Sequence, residues 1–184
     1  MEWKYPYKTN PFEHQRQALK KSADAYSFAY FMEMGTGKTK TAIDNMGYLY
    51  MKKEIDTALI IAPKSVYTIW CNEIEAHLPD VVKRDIFQWK IDKPKRWDYF
   101  KKSNNLKIFL INVEALSNRN GFETVKNFIK DYKNNFVVID ESTTIKNPKA
   151  KRTKYILALR NFIKYKRILT GSPVTKSPLD LYAQ

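Results

Sequence analysis

The sequence predicts an α/β domain built on a mainly parallel sheet, and three observations carry that prediction. Short apolar runs rich in β-branched and aromatic residues alternate along the chain with longer segments of helical period. Of only five glycines, Gly35, Gly37 and Gly171 fall directly after predicted strands, at the sheet edge where open α/β sheets bind ligands. The length of 184 residues, with 43% hydrophobic and 14% aromatic content, suits one packed core.

In chain order, strands are expected at residues 28–32, 58–62, 85–89, 107–112, 136–140 and 167–170. Helices are expected at 11–23, 38–51, 66–78, 94–102, 122–132 and 150–162. The first helix has clear start signals: Asn10 as N-cap, Pro11 at the first helical position and Glu13 placed for a capping box. No repeat, linker or low-complexity tract separates these elements.

Composition excludes several function classes. The longest apolar stretches, such as 57–62 and 136–139, are far too short to span a bilayer, and the N-terminus lacks a secretory pattern. A soluble cytoplasmic protein without a membrane partner is expected. The single cysteine, Cys71, cannot form an internal disulfide and has no partner at metal-ligand spacing. Thirty-three basic against nineteen acidic residues give a net charge of +14, which favours polyanionic partners such as nucleic acid. Ten basic residues and no acid lie within 142–179, and that stretch reads equally as a nucleic-acid track or a solvated face.

The strongest chemical signal is Met32-Glu33-Met34-Gly35-Thr36-Gly37-Lys38-Thr39, between an apolar run and a helix. Glycines let backbone N–H groups turn toward one anion, and the helix N-terminus adds partial positive charge. Lys38 supplies a full charge for the β- and γ-phosphates, and the Thr39 hydroxyl suits Mg²⁺. Met34, Gly35, Thr36, Gly37, Lys38, Thr39 and Lys40 are therefore the expected nucleotide cradle. Met32 stands where the strict phosphate-loop pattern has its first glycine.

About a hundred residues later, Phe136-Val137-Val138-Ile139 runs into Asp140-Glu141. A buried strand ending at a phosphate site would let Asp140 orient water on Mg²⁺ and Glu141 polarise the water attacking the γ-phosphate. Paired with Lys38, these carboxylates favour hydrolysis over transfer to an acceptor.

Five motifs in order then resemble the N-terminal RecA-like domain of superfamily-two helicases, in the Swi/Snf-type translocase branch. Pro11-Phe12-Glu13-His14-Gln15 resembles the adenine-reading glutamine segment, and residues 33–39 resemble the Glu-Met-Gly-x-Gly-Lys-Thr phosphate loop. Residues 60–66, Ile-Ile-Ala-Pro-Lys-Ser-Val, followed by Trp70, resemble the motif that grips one DNA strand. Asp140-Glu141-Ser142-Thr143 with Ile145-Lys146-Asn147 is similar to the Asp-Glu-Ala-His box and its trailing Ile-Lys-Asn. Leu169-Thr170-Gly171-Ser172-Pro173 is similar to Leu-Thr-Gly-Thr-Pro.

The resemblance implies a P-loop NTPase with a RecA-like three-layer α/β/α sandwich, one domain over 1–184, using ATP and Mg²⁺ and acting on double-stranded DNA. It implies that Gln15 reads adenine through its amide, with Tyr5, Tyr7 or Phe12 as stacking neighbours. Pro63, Lys64 and Ser65 become contacts to a nucleic-acid phosphate. Residues 112–117 fall where the family has a second strand-contacting turn, though here they are generic. Thr170, Gly171 and Ser172 become the coupling segment, bonding the carboxylates and reporting nucleotide state. Ser142-Thr143 departs from the box's Ala-His, so hydroxyls must substitute or coupling is altered; His14 and His77 read as surface or packing residues.

Such motors place ATP between two RecA-like domains, the second supplying arginine fingers. The sequence stops at Gln184 within the helix expected after the fifth motif, so half a motor is expected, joined to its partner domain in cis or in trans. A fragment from a small genome such as a phage, acting in the host cytoplasm, is the simplest such origin. Two other readings stay open: a nucleic-acid-binding or docking module with a vestigial ATPase, and a small P-loop kinase.

Overall fold

A computed structural model of the chain describes residues 5–145, 147 and 150–171. Six parallel strands form one sheet in the order β1-β6-β5-β2-β4-β3. In sequence these are β1 Ser27–Phe31, β2 Thr57–Ile61, β3 Arg84–Gln88, β4 Leu106–Ile111, β5 Asn135–Asp140 and β6 Tyr165–Thr170. The helices between them are α1 Glu13–Ser22, α2 Lys38–Met51, α3 Tyr67–His77, α4 Pro94–Lys102, α5 Arg119–Asp131 and α6 Lys151–Leu159.

The central strands are buried on both faces, and their side chains alternate between two cores with the period of two that a strand imposes. Ala58, Ile60, Ile108, Leu110, Phe136 and Val138 face a core completed by Ile43 and Met46 of α2 and Trp70 and Ile74 of α3. Leu59, Ile61, Phe109, Ile111, Val137 and Ile139 face the other, completed by Phe100 of α4, Val125 and Phe128 of α5 and Ile156 of α6. The result is the expected three-layer α/β/α sandwich. Asn135 locks its far edge: Nδ2 donates to the carbonyls of Tyr132 (2.8 Å) and Phe162 (3.0 Å), and Oδ1 accepts from Lys164 N (2.9 Å).

Every expected strand and helix forms, but several ends differ. Helix α1 begins at Glu13 with Phe12 before it, not at Pro11 after Asn10. Gln15 makes the reach-back contact assigned to Glu13: its Oε1 accepts from Phe12 N at 3.0 Å, while Glu13 accepts from Gln17. Helix α5 begins three residues early because Asn118 Oδ1 caps it, accepting from Gly121 N at 2.8 Å. The helix expected at 66–78 is preceded by a 3₁₀ turn, Lys64–Val66, and the one expected at 150–162 finishes as a 3₁₀ turn, Arg160–Phe162.

The basic C-terminal stretch is not one surface. Arg167 is 1% exposed and donates to Asn45 Oδ1, Lys166 O and Ser22 O, each at 2.7 Å, with Phe136 under its guanidinium. Lys164 bonds Glu54 at 2.9 Å. A charge count overlooks burial, so these two residues leave the expected track; Lys146, Lys149 and Lys176 lie outside the described residues. Among the described residues no helix is long and apolar enough to cross a membrane.

Candidate nucleotide site

Parallel pairing brings the C-terminal ends of all strands to one edge, so the strand order becomes an order of loops. The loop after β1 holds residues 32–37, and β6 ends at Thr170 beside it. Then come Asp140 at the end of β5 and the Pro63–Ser65 turn after β2. Thr170 thus lies between the glycine loop and the carboxylates, with the Lys64 turn on the far side. Residues far apart in sequence meet here because every crossover returns the chain to the same edge.

Two glycines shape the first loop. Gly35 has φ 75° and Gly37 φ 81°, the left-handed region that other residues enter at a cost. Gly37 has a second reason, since a Cβ there would lie 2.1 Å from Gln15 Nε2. Lys38 curls back over the loop, its Nζ donating to the carbonyls of Met32 and Glu33 at 2.9 Å each. Thr36 Oγ1 donates to Glu33 O at 2.7 Å. The ammonium is thereby held within the loop, where a phosphate would replace two neutral acceptors with a charged one.

Helix α1 braces the loop from outside. Gln15 is 4% exposed and its Nε2 donates to Thr36 O at 3.0 Å; His14 Nε2 donates to the same carbonyl at 2.9 Å. Gln15 therefore spends both ends of its amide on backbone, and reading adenine would require exchanging one of them. His14, expected to be a surface or packing residue, is exposed and also touches the loop through this bond. Of the candidate stacking aromatics, Tyr5 is buried, whereas Phe12 is 70% exposed and stacks on His14. Thr39 lies in the first turn of α2 and Met34 is exposed. Lys40 is buried, its Nζ bonded to Asp44 Oδ2 at 2.7 Å, so only its backbone N–H is left to serve a phosphate.

The carboxylates occupy a different setting. Asp140 Oδ2 accepts from the Trp70 indole at 2.9 Å and Oδ1 from the Glu141 N–H at 3.0 Å. Burial pushes the Asp140 carboxyl above its ordinary range, opposed by those two bonds and by the Lys38 charge. Glu141 is exposed and has φ 51°, a left-handed conformation that a residue other than glycine keeps only when its surroundings hold it. Ser142 is buried.

Thr170 is buried at the end of β6, one residue past the partner of Asp140. Gly171 packs on the glycine loop: a Cβ there would sit 3.3 Å from Met34 Cγ and 3.6 Å from Met32 O. Ser172 lies outside the described residues. Lys64 and Ser65 are exposed on the 3₁₀ turn that leads into α3.

The donor set suits a hard cation. Thr39 and Asp140 offer oxygen, and each Asp140 oxygen can accept more than the one hydrogen bond it takes among the described residues. Mg²⁺ is commonly held by one or two protein oxygens plus substrate phosphates, a pattern these residues fit.

Fold and site together define a P-loop domain of the RecA-like type, with a phosphate loop after one strand and paired acids after another. A family model for the SNF2-related domain matches residues 23–183, and the chain belongs to that family. It is 31% identical over 156 residues to the ISWI chromatin-remodeling complex ATPase ISW1 of Saccharomyces cerevisiae, covering 82% of this chain and 13% of that protein. It is 29% identical over 153 residues to an uncharacterized ATP-dependent helicase of Mycoplasma pneumoniae, covering 82% of this chain and 14% of that one. The chain thus spans a small part of the curated relatives it matches. The Sulfolobus solfataricus SWI2/SNF2 ATPase core in complex with dsDNA shares the fold, with a TM-score of 0.75 at 23% identity over 99% of this chain and 36% of that one.

Proposed function

We propose that the chain is the nucleotide-holding half of a DNA-dependent ATPase motor, hydrolysing ATP to move on or remodel double-stranded DNA when joined to a second RecA-like domain. The observation that carries this reading is the order of loops at one sheet edge: phosphate loop, Thr170-Gly171, Asp140-Glu141, then the Lys64 turn. Family membership supports the ATPase class, and a fold shared with an ATPase core in complex with dsDNA supports the choice of nucleic acid.

In this reading Lys38 releases the Met32 and Glu33 carbonyls and pairs with the β- and γ-phosphates, while N–H groups of residues 35–40 surround them. Gln15, bonded to the loop at Thr36, and the exposed Phe12 ring are the candidates to meet the base. Mg²⁺, when bound, neutralises phosphate charge; Thr39 and Asp140 would hold it. Glu141 accepts a proton from the attacking water and orients that water toward the γ-phosphorus. Thr170 and Gly171 relay the change to the Pro63–Ser65 turn, where Lys64 meets a DNA phosphate. The second domain supplies arginine to the transition state, worth about 10³ to 10⁵ in rate. The work is cytoplasmic.

The test compares ATP turnover by the 184-residue chain alone and fused to a SNF2-type second RecA-like domain, with and without duplex DNA. Nucleotide binding by the chain alone with very slow turnover, rising by orders of magnitude in the DNA-bound fusion, is the expected result. Robust DNA-stimulated turnover by the chain alone would overturn the half-motor reading, and no nucleotide binding would return the chain to a docking module.

A further inference from the structure

The indole of Trp70 reaches a carboxylate that the sequence places seventy positions away. Trp70 lies on α3, is 2% exposed and packs in the core with Ile43 and Met46 of α2. Its ring N–H donates to Asp140 Oδ2 at 2.9 Å. A buried tryptophan normally finds some acceptor for its N–H, and a backbone carbonyl would serve packing equally well. Here the acceptor is the side chain assigned to Mg²⁺.

The geometry matters because of what occupies the other oxygen. Asp140 Oδ1 takes the N–H of Glu141, the next residue in the chain, so that bond alone would leave the carboxylate free to turn with its own backbone. The Trp70 bond comes from a separate element across the core, and two donors on two oxygens fix the carboxylate plane. Helix α3 also follows directly from the Lys64–Val66 turn. The framework that orients Asp140 is therefore continuous with the turn that presents Lys64.

We propose that Trp70 is a positioning residue for the hydrolytic site, its indole N–H orienting the Asp140 carboxylate toward Mg²⁺ from helix α3. This rests on the nucleotide-site reading above. The ring touches neither nucleotide nor metal, and it acts through Asp140.

The test is Trp70→Phe, which keeps an aromatic ring in the core and removes the N–H. Binding of a fluorescent ATP analogue is measured without Mg²⁺ and across a Mg²⁺ titration, in the wild-type and Asp140→Asn backgrounds. The expected result is an affinity without Mg²⁺ within about twofold of wild type, and a roughly tenfold higher Mg²⁺ concentration for half-maximal tightening, the scale of one hydrogen bond to a charged group. In the Asp140→Asn background Trp70→Phe should add nothing to the Mg²⁺ requirement. Equal loss of affinity with and without Mg²⁺, or the same loss in both backgrounds, would overturn the proposal in favour of simple packing. An unchanged Mg²⁺ titration would overturn it too and leave the nucleotide site intact, whereas a wild-type chain that binds no Mg²⁺-nucleotide would sink both readings. Should Trp70→Phe fail to fold, the indole ¹⁵N–¹H resonances of the wild-type chain read the same contact. Of its four tryptophans, Trp70 should shift when Mg²⁺ joins the bound nucleotide, and an unmoved Trp70 would overturn the proposal.

Discussion

The glycine loop and the carboxylate turn sit at the same sheet edge but are held in different ways. The loop is supported chiefly by its own backbone and by α1: Lys38 on two loop carbonyls, and His14 and Gln15 on Thr36. The Asp140 carboxylate bonds the Glu141 N–H of its own turn and also the indole of Trp70 on α3, the helix that follows β2 in sequence. A loop held by its own carbonyls can exchange them for phosphate with little movement elsewhere. A carboxylate bonded both to its own turn and to α3 is reached by a shift of either. The first arrangement suits binding, and the second suits hydrolysis tied to events at the Lys64 turn.

Four substitutions test this division, taken from the largest effect to the smallest. Glu141→Gln in the fused two-domain protein should lower ATP turnover about 10²- to 10⁴-fold, the worth of a general base, while nucleotide affinity stays within a few-fold. Steady-state turnover and equilibrium binding measure the two, and parallel loss of both would erase the distinction. Lys38→Ala removes the loop's full charge and should weaken ATP binding by roughly 10- to 100-fold, as for a charged hydrogen bond of about 1.5–3 kcal/mol. Calorimetric titration checks it, with an unchanged thermal midpoint expected.

Gly37→Ala places a side chain at φ 81° and against Gln15, and should cost about 1–3 kcal/mol in denaturant unfolding. If Gln15 truly braces the loop, Gly37→Ala in a Gln15→Ala background should cost less.

The fourth lies behind the loop. Burial raises the Asp44 carboxyl to about 6, with its bond to Lys40 opposing the shift. A folded-state value above the unfolded one means that the native protein binds the proton more tightly. Stability contributed by Asp44 is therefore greatest below about pH 4 and is lost as pH rises to about 6. Relative to Asp44→Asn, the wild type should lose on the order of 3 kcal/mol across that window and stay level above it. Carboxylates such as Glu75 and Asp80, held low by Arg84 and Lys8, lose their contribution at acid pH in both proteins and cancel in the difference. A flat difference would show that α2 holds no strained charge behind the loop.

The contrast between the two regions also explains what could be read from sequence. Strands and helices were legible because apolar period is a local property, and β5 shows it plainly: four buried apolar residues and then Asp140. The tight turn after β1 was legible because Gly35 and Gly37 take left-handed φ there and Lys38 bonds carbonyls within six residues. The Trp70 bond was not, since nothing in either segment's composition reveals which acceptor a buried indole finds. Trp70 was visible only as part of a DNA-gripping motif. Arg167 was misread for a related reason: a count of charges assigns it to a surface, whereas Asn45 and Ser22, more than a hundred residues earlier, accept its bonds inside the fold. Gln15 was read as an adenine contact, whereas its partners in the fold, Phe12 and Thr36, are backbone groups that no sequence pattern names.

In the proposed motor half, phosphate and Mg²⁺ meet these two regions together. Backbone amide chemical shifts of the ¹⁵N-labelled chain, followed as Mg²⁺-ATP is added, address it most directly. The largest shifts should cluster at residues 35–40 and at Asp140 and Glu141, and Lys38→Ala should abolish both sets. Shifts confined elsewhere, or shifts at the loop that leave Asp140 and Glu141 unmoved when Mg²⁺ is present, would contradict it.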